Sequence, residues 1–210
     1  MFFNCLNGKS KLMNIKSKKE QFLMIFLALI IGVIITNTCN SAEVAIDGQA
    51  ISVIVVPSDP SSTELFAAEE LQGYLNKITT AEFIIFSEGK SKAKSKIYIG
   101  HCKASKKFTS LLNSNEPDCF AVKSSKKNVH LFGVSDRATL YAVYDFLEDD
   151  LGCRWLAPGP EWEDIIKQKS IALKDFERIE CPDIRYRFQR FTIPAEPDTP
   201  ESYYMDWAVK

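Results

Sequence analysis

Along the middle of the chain the apolar positions fall into short runs whose period changes from two to about three and a half. Residues 51–56 are dense in β-branched side chains and stop at Pro57, the pattern of a buried strand. Ser58-Asp59-Pro60-Ser61-Ser62-Thr63 then reads as a turn with helix-capping character. Thr63 ahead of Phe66-Ala67-Ala68-Glu69 predicts the opening of a helix. Leu65, Ala68, Leu71, Leu75 and Ile78 recur at three- and four-residue steps, one apolar stripe along about four turns. Gly73 inside that stretch costs about 1 kcal/mol relative to alanine, so a close packing contact is expected there.

Further strands are predicted at 83–86 and 97–100, the second stopped by Gly100. Phe108, Leu111 and Leu112 suggest a short helix within 103–117. Residues 119–123 and 129–134 read as a hairpin across the turn Ser124-Ser125-Lys126-Lys127-Asn128. Asp136 is expected to cap a second helix whose apolar face is Leu140, Val143, Tyr144, Leu147 and Leu151, with Gly152 just past its end. Glu148-Asp149-Asp150 opposes the helix dipole there. Residues 43–50 read as a lead-in, and 165–173 as an edge strand or lead-out. There is no internal repeat. Strands interleaved with helices argue an α+β fold, an α/β sandwich in which helices pack on a mixed β-sheet.

The N-terminus has a different pattern. Lys9, Lys11, Lys16, Lys18 and Lys19 precede an unbroken apolar run from Phe22 to Ile35, followed by small and polar residues through Ala42. These are the parts of a bacterial-type signal peptide, expected over residues 1–42 with cleavage after Ser41 or Ala42. The run is shorter than the roughly 20 residues that span a bilayer. An uncleaved anchor helix is the alternative, and it is the one route by which this chain would engage a membrane. Thr36-Asn37-Thr38 before Cys39 lacks an aliphatic-then-small pattern, so a lipoprotein ranks below simple export to the periplasm, cell surface or medium.

The 210 residues are 46% apolar and 25% charged with a formal net charge of −1, an ordinary globular balance. That charge carries no basic excess for nucleic acid. Of six cysteines, Cys5 and Cys39 precede the expected domain, leaving Cys102, Cys119, Cys153 and Cys181 as disulfide candidates. Four cysteines allow three pairings, and spacing does not choose between them. No Cys-x-x-Cys occurs and His101 and His130 stand apart, so neither a metal nor another cofactor is expected, and both histidines read as surface or strand-end residues.

Most glycosidase chemistry needs two carboxylates about 5–9.5 Å apart. Glu161 and Glu163 flank Trp162 in an expected loop, while Glu69-Glu70 and Glu148-Asp149-Asp150 lie on expected helices. Each reads more simply as a solvated face. No Gly-x-Ser-x-Gly elbow or phosphate loop is present. No residue of the chain is therefore assigned a catalytic role. Trp155 reads as core, and Trp162 is a candidate sugar-stacking surface or domain interface.

A family resemblance rests on particular segments. Arg137-Ala138-Thr139-Leu140-Tyr141-Ala142-Val143-Tyr144-Asp145-Phe146-Leu147-Glu148 continues through Leu151-Gly152-Cys153-Arg154-Trp155-Leu156-Ala157-Pro158-Gly159. With Ala67-Ala68-Glu69-Glu70-Leu71-Gln72-Gly73-Tyr74-Leu75, Ile97-Tyr98-Ile99-Gly100 and Gly133-Val134-Ser135-Asp136-Arg137, it resembles the N-terminal domain of alpha-glucuronidase-type glycoside hydrolases and their exported relatives. A similar domain precedes the barrel of family 20 beta-hexosaminidases. The resemblance covers roughly residues 50–187 and implies a mixed sheet flanked by helices, ahead of a (β/α)₈ barrel that does the chemistry. Carbohydrate is the partner it implies.

Family 20 enzymes carry a substrate-binding arginine in a Pro-Arg-Phe-x-x-Arg-Gly motif. Here Cys181-Pro182-Asp183-Ile184-Arg185-Tyr186-Arg187-Phe188 stands in that place. Arg187 keeps the spacing from Pro182, Asp183 replaces the first arginine and Phe188 the glycine. Arg187 is thus a candidate sugar contact, although the histidine–tryptophan–aspartate cluster of alpha-glucuronidases is missing. The expected organisation is a signal peptide over 1–42, an accessory α/β domain over 43–180 and an incomplete start of a barrel over 181–210. Only 28 residues follow Pro182, against the roughly 250 of a whole barrel. The leading functional expectation is the accessory domain of an exported glycoside hydrolase in polysaccharide breakdown. The alternatives are a stand-alone carbohydrate-binding module and a structural domain that associates through an aromatic tail.

Overall fold

In the computed structural model the described residues are 41–113 and 115–183. Strand β1 (Ser41–Ile46) turns at Asp47-Gly48 into β2 (Gln49–Ala50) and then β3 (Ser52–Val56). Helix α1 (Ser62–Thr79), β4 (Ile85–Ser87), β5 (Ser95–Ile99) and a 3₁₀ turn at Lys106–Leu111 follow. The hairpin β6 (Phe120–Ser125) and β7 (Asn128–Gly133) leads to α2 (Asp136–Asp145), which runs on into a π turn at Phe146–Asp150. Short strands β8 (Arg154–Trp155) and β9 (Glu163–Asp164) precede β10 (Ile171–Lys174) and β11 (Phe176–Glu180).

The main sheet has the order β11-β6-β7-β5-β3-β4. Strands β4, β3, β5 and β7 are parallel, whereas β6 and β11 are antiparallel additions. A three-stranded sheet β10-β1-β2 and the pair β8-β9 complete it. These mixed sheets with two main helices are an α+β architecture. Ile54, Val56, Ile97, Ile99, Val129, Leu131 and Val122 share one face and join α1 and α2 residues in one core. The segment 101–118 covers part of the other face, where Cys102 Sγ reaches the Val55 carbonyl and Phe108 meets His130.

The stripe on α1 is corrected at one end: Leu65 is 40% exposed, while Ala67 and Tyr74 are buried with Ala68, Leu71, Leu75 and Ile78. The first turn overhangs the core, so its stripe position faces water. Gly73 packs against nothing; a Cβ there would meet no atom within 4 Å. The α1 cap is Ser61 rather than Thr63, in a capping box with Glu64. The α2 cap is Ser135 rather than Asp136, because the Ser135 hydroxyl accepts from Ala138 N. The α2 face is as expected, and Gly152 (φ +76°) ends the π turn where its own N–H and that of Cys153 reach the Glu148 and Leu147 carbonyls.

Glu69, Glu148, Asp149 and Glu161 are exposed as expected, whereas Asp150 and Glu163 are drawn into ion pairs. Arg178 of β11 donates to Asp145 and Asp150, tying the edge strand to the helix layer. Burial acts against the charge on Arg178, but its bonds to Asp150 and Asp145 outweigh that and hold it fully charged. Burial also pushes the Asp145 carboxyl up, opposed by Arg178.

Candidate functional site

The parallel strands β3, β5 and β7 end side by side, where open α/β sheets usually hold ligands. Here the crevice is filled from within. Glu64 is buried at the start of α1; its Oε2 accepts from Ser61 N at 3.0 Å and its Oε1 from His101 N at 2.9 Å. Gly100 (φ +69°) passes so close that a Cβ would overlap Glu64 Oε1. An anionic ligand therefore finds this helix end already occupied by a carboxylate.

Asp136 Oδ1 lies 3.9 Å from His101 Nε2, and with Glu64 these side chains bring one ligand atom each within 4.8 Å of one another. Sequence reasoning missed the group because its members are far apart along the chain. Two carboxylates and an imidazole are donors suited to a divalent cation. Two helix N-termini converge here, however, and their positive ends oppose one. Both Glu64 oxygens are also engaged, one in the capping box of its helix and one by His101 N.

At the other end of the strands the loop after α2 carries both candidate tryptophans. Trp155 is packed as expected: its ring stands edge-on to Tyr74 and Tyr144, and its Nε1 donates to Tyr74 Oη at 2.8 Å. Tyr74 Oη donates to Glu163 Oε1 at 2.6 Å, and Lys77 Nζ donates to Glu163 Oε2 at 2.7 Å. Glu163 is therefore a structural anchor rather than a solvated acid. Trp162 follows Pro160-Glu161 in a 3₁₀ turn and is 50% exposed; its carbonyl accepts from the N–H of Leu156, whose side chain is exposed too.

Cys119 and Cys181 form a disulfide; Cys102 and Cys153 are free and buried. Burial first, then Glu88 and Glu64, pushes the Cys102 thiol up to about 12. Burial first, then Glu163, pushes Cys153 up to about 11. Neither is a nucleophile near neutrality. The disulfide closes the chain at the crevice end of the sheet, since Glu180 pairs with Phe120 and Phe120 with Gly133. Arg187 lies outside the described residues, six positions beyond Cys181.

His130 is not a surface residue. It is 3% exposed, stacked on Tyr98 with ring centroids 5.0 Å apart, and its Nδ1 lies 3.0 Å from Ser105 Oγ. Burial, then Lys107 and Lys123, lowers its pKa to about 4, which keeps it neutral. Lys107 and Lys123 both lie over the Phe108 ring. A serine and a histidine thus meet, but in a closed aromatic setting that suits packing rather than substrate access. Among the described residues no helix is long and apolar enough to cross a membrane.

A family profile described as glycosyl hydrolase family 67 N-terminus matches residues 38–146. The chain belongs to this family. The match runs from just before β1 to the end of α2, so it takes in the parallel strands, both helices and the filled crevice. No curated protein matches the chain. Among solved structures, one titled "Structure of CpGH84D" is similar at 12% identity with a TM-score of 0.38, over 64% of this chain and 21% of that one.

Proposed function

We propose that this family 67 N-terminal domain is the accessory part of an exported glycoside hydrolase, acting in carbohydrate breakdown beside a catalytic barrel that supplies the reacting carboxylates. The family match over residues 38–146 carries the reading. The acids of the described domain support it, because Glu64, Glu163, Asp145 and Asp150 are each committed to caps or ion pairs. Arg187, at its spacing from Pro182, is the proposed sugar contact where the barrel begins.

The test is hydrolysis of an aryl α-glucuronide by the 210-residue chain and by one extended with whatever the gene encodes after Lys210. Activity in the extended chain alone is expected. Activity in the 210-residue chain, or in neither, overturns the proposal.

One observation favours a second reading, a carbohydrate-binding module. Trp162 presents a half-exposed indole next to a rigid Glu163–Lys77 pair, a platform on which a sugar ring can stack. Retardation in polysaccharide gels that Trp162→Ala abolishes would establish it; equal mobility of both chains would remove it.

A further inference from the structure

Lysine is not spread evenly over the domain. Residues 89–107 and 120–130 hold ten lysines, seven in the first segment and three in the second, with no aspartate, glutamate or arginine among them. The rest of the described domain holds 7 basic residues against 22 acidic ones. The fold brings the two segments together. Lys96 of β5 pairs with Asn128 of β7, and Lys96 N donates to Asn128 Oδ1 at 3.1 Å. Ser95 Oγ donates to the Lys127 carbonyl at 2.6 Å, which sets the β6–β7 turn against the start of β5. The Nζ atoms of Lys107 and Lys123 stand 4.7 and 5.0 Å from the centre of one ring, that of Phe108. Lys96 and Lys123 alternate with the core residues Ile97 and Val122, so they point away from both helices. Three acids touch these lysines. Glu88 accepts from Lys103 N, Asp175 accepts from Lys126 N, and Glu177 pairs with the Lys123 ammonium. Among the described residues, no other ammonium of the two segments has a carboxylate within 4.0 Å.

A face with one sign of charge draws a partner of the other. Its chemistry narrows the class. Lysine without arginine supplies mobile point charges rather than planar forks, which suits charges repeated along a flexible polymer. None of the domain's exposed large apolar residues falls in the two segments, so this face has no wedge to insert into a bilayer. Tyr98 and Phe108 are half-buried around His130, so their rings do not stand free to stack on a nucleobase. We propose that this lysine face binds an acidic polysaccharide, one that carries carboxylates on recurring sugar units. That the polymer is a carbohydrate rests on the glycoside hydrolase reading above. The proposal adds a surface that shares no residue with Trp162, Glu163 or Lys77.

The experiment is equilibrium binding of the full chain to four probes: polygalacturonate, its methyl ester, phosphatidylglycerol vesicles and duplex DNA. Polygalacturonate is expected to bind, at least about tenfold more weakly in about 1 M than in about 0.01 M salt, as the screening length falls from about 30 to about 3 Å. The uncharged ester should bind at least about tenfold more weakly than the acid at low salt. Lys106→Glu with Lys127→Glu should weaken polygalacturonate binding, whereas Lys167→Glu with Lys169→Glu, an equal change of charge outside the two segments, should not. All four side chains are exposed, and both variants should keep the parent's urea midpoint. If the first does not, Lys106→Gln with Lys127→Gln gives the reading instead. No binding to polygalacturonate, equal binding to its ester, or equal effects of the two charge swaps overturns the proposal. Tighter binding to the vesicles or to DNA overturns it too, in favour of a membrane or nucleic-acid partner. Each of these results leaves the accessory-domain reading standing, because hydrolysis by the extended chain tests that separately.

Discussion

Trp155 Nε1 donates to Tyr74 Oη at 2.8 Å, and through that hydroxyl the β8–β9 hairpin is tied to the last turns of α1. Tyr74→Phe removes both bonds of the hydroxyl while keeping the ring contacts with Trp155. Loss of about 1–3 kcal/mol is expected, read as a lower urea midpoint at unchanged m-value. A midpoint equal to the parent's would show that ring packing alone holds the hairpin.

His130 makes stability depend on pH. Its folded pKa, about 4, lies below the ordinary 6.5, so the unfolded chain takes up the proton first. This contribution to stability is complete above pH 6.5 and is lost as pH falls from 6.5 to 4. Over that span the loss approaches roughly 3 kcal/mol. Urea midpoints between pH 7 and 4 should fall for the parent and fall less steeply for His130→Phe; parallel slopes would refute the assignment.

Two glycines should respond with opposite signs. Gly73→Ala places a methyl in open space on an exposed helix position and is expected to stabilise by about 1 kcal/mol. Gly100→Ala forces a Cβ onto Glu64 at a positive φ and is expected to destabilise by more than that. Thermal melts of the two variants check both.

The disulfide between Cys119 and Cys181 spans 62 residues. Cys181→Ala is expected to lower stability by up to about 4 kcal/mol by releasing that loop in the unfolded chain. Cys102 and Cys153 should take up iodoacetamide only after denaturation, which peptide mass spectrometry reports. Labelling of either in the native protein would show that its pocket opens.

The sequence is most readable where one face meets one core. The α2 stripe and the parallel strands β3 and β5 follow from periodicity because each buries a full face. Strands β1 and β2 were missed although Asp47-Gly48, both at positive φ, is a recognisable hairpin turn. Strand β11 was missed because its alternation of charge and apolar residues, Phe176-Glu177-Arg178-Ile179-Glu180, belongs to an edge. His130 and Glu64 look like surface residues in the sequence; only long-range partners such as Ser105 and His101 reveal their burial. For the same reason the Glu64–His101–Asp136 group was invisible, while the exposure of Trp162 was legible because an indole among charged residues in a Pro/Gly turn needs no distant partner to stay in water.

The pairing of β1 with β10 also sets an order of events. A ribosome delivers Ala45 long before its partner Ile171. Until that partner arrives, one flank of β1 has no strand to join, and the core residues beneath it stay incompletely covered. Such long-range closure is slow compared with local helix formation. The three-stranded sheet thus closes only after residues 171–174 have been made, behind the parallel strands and both helices.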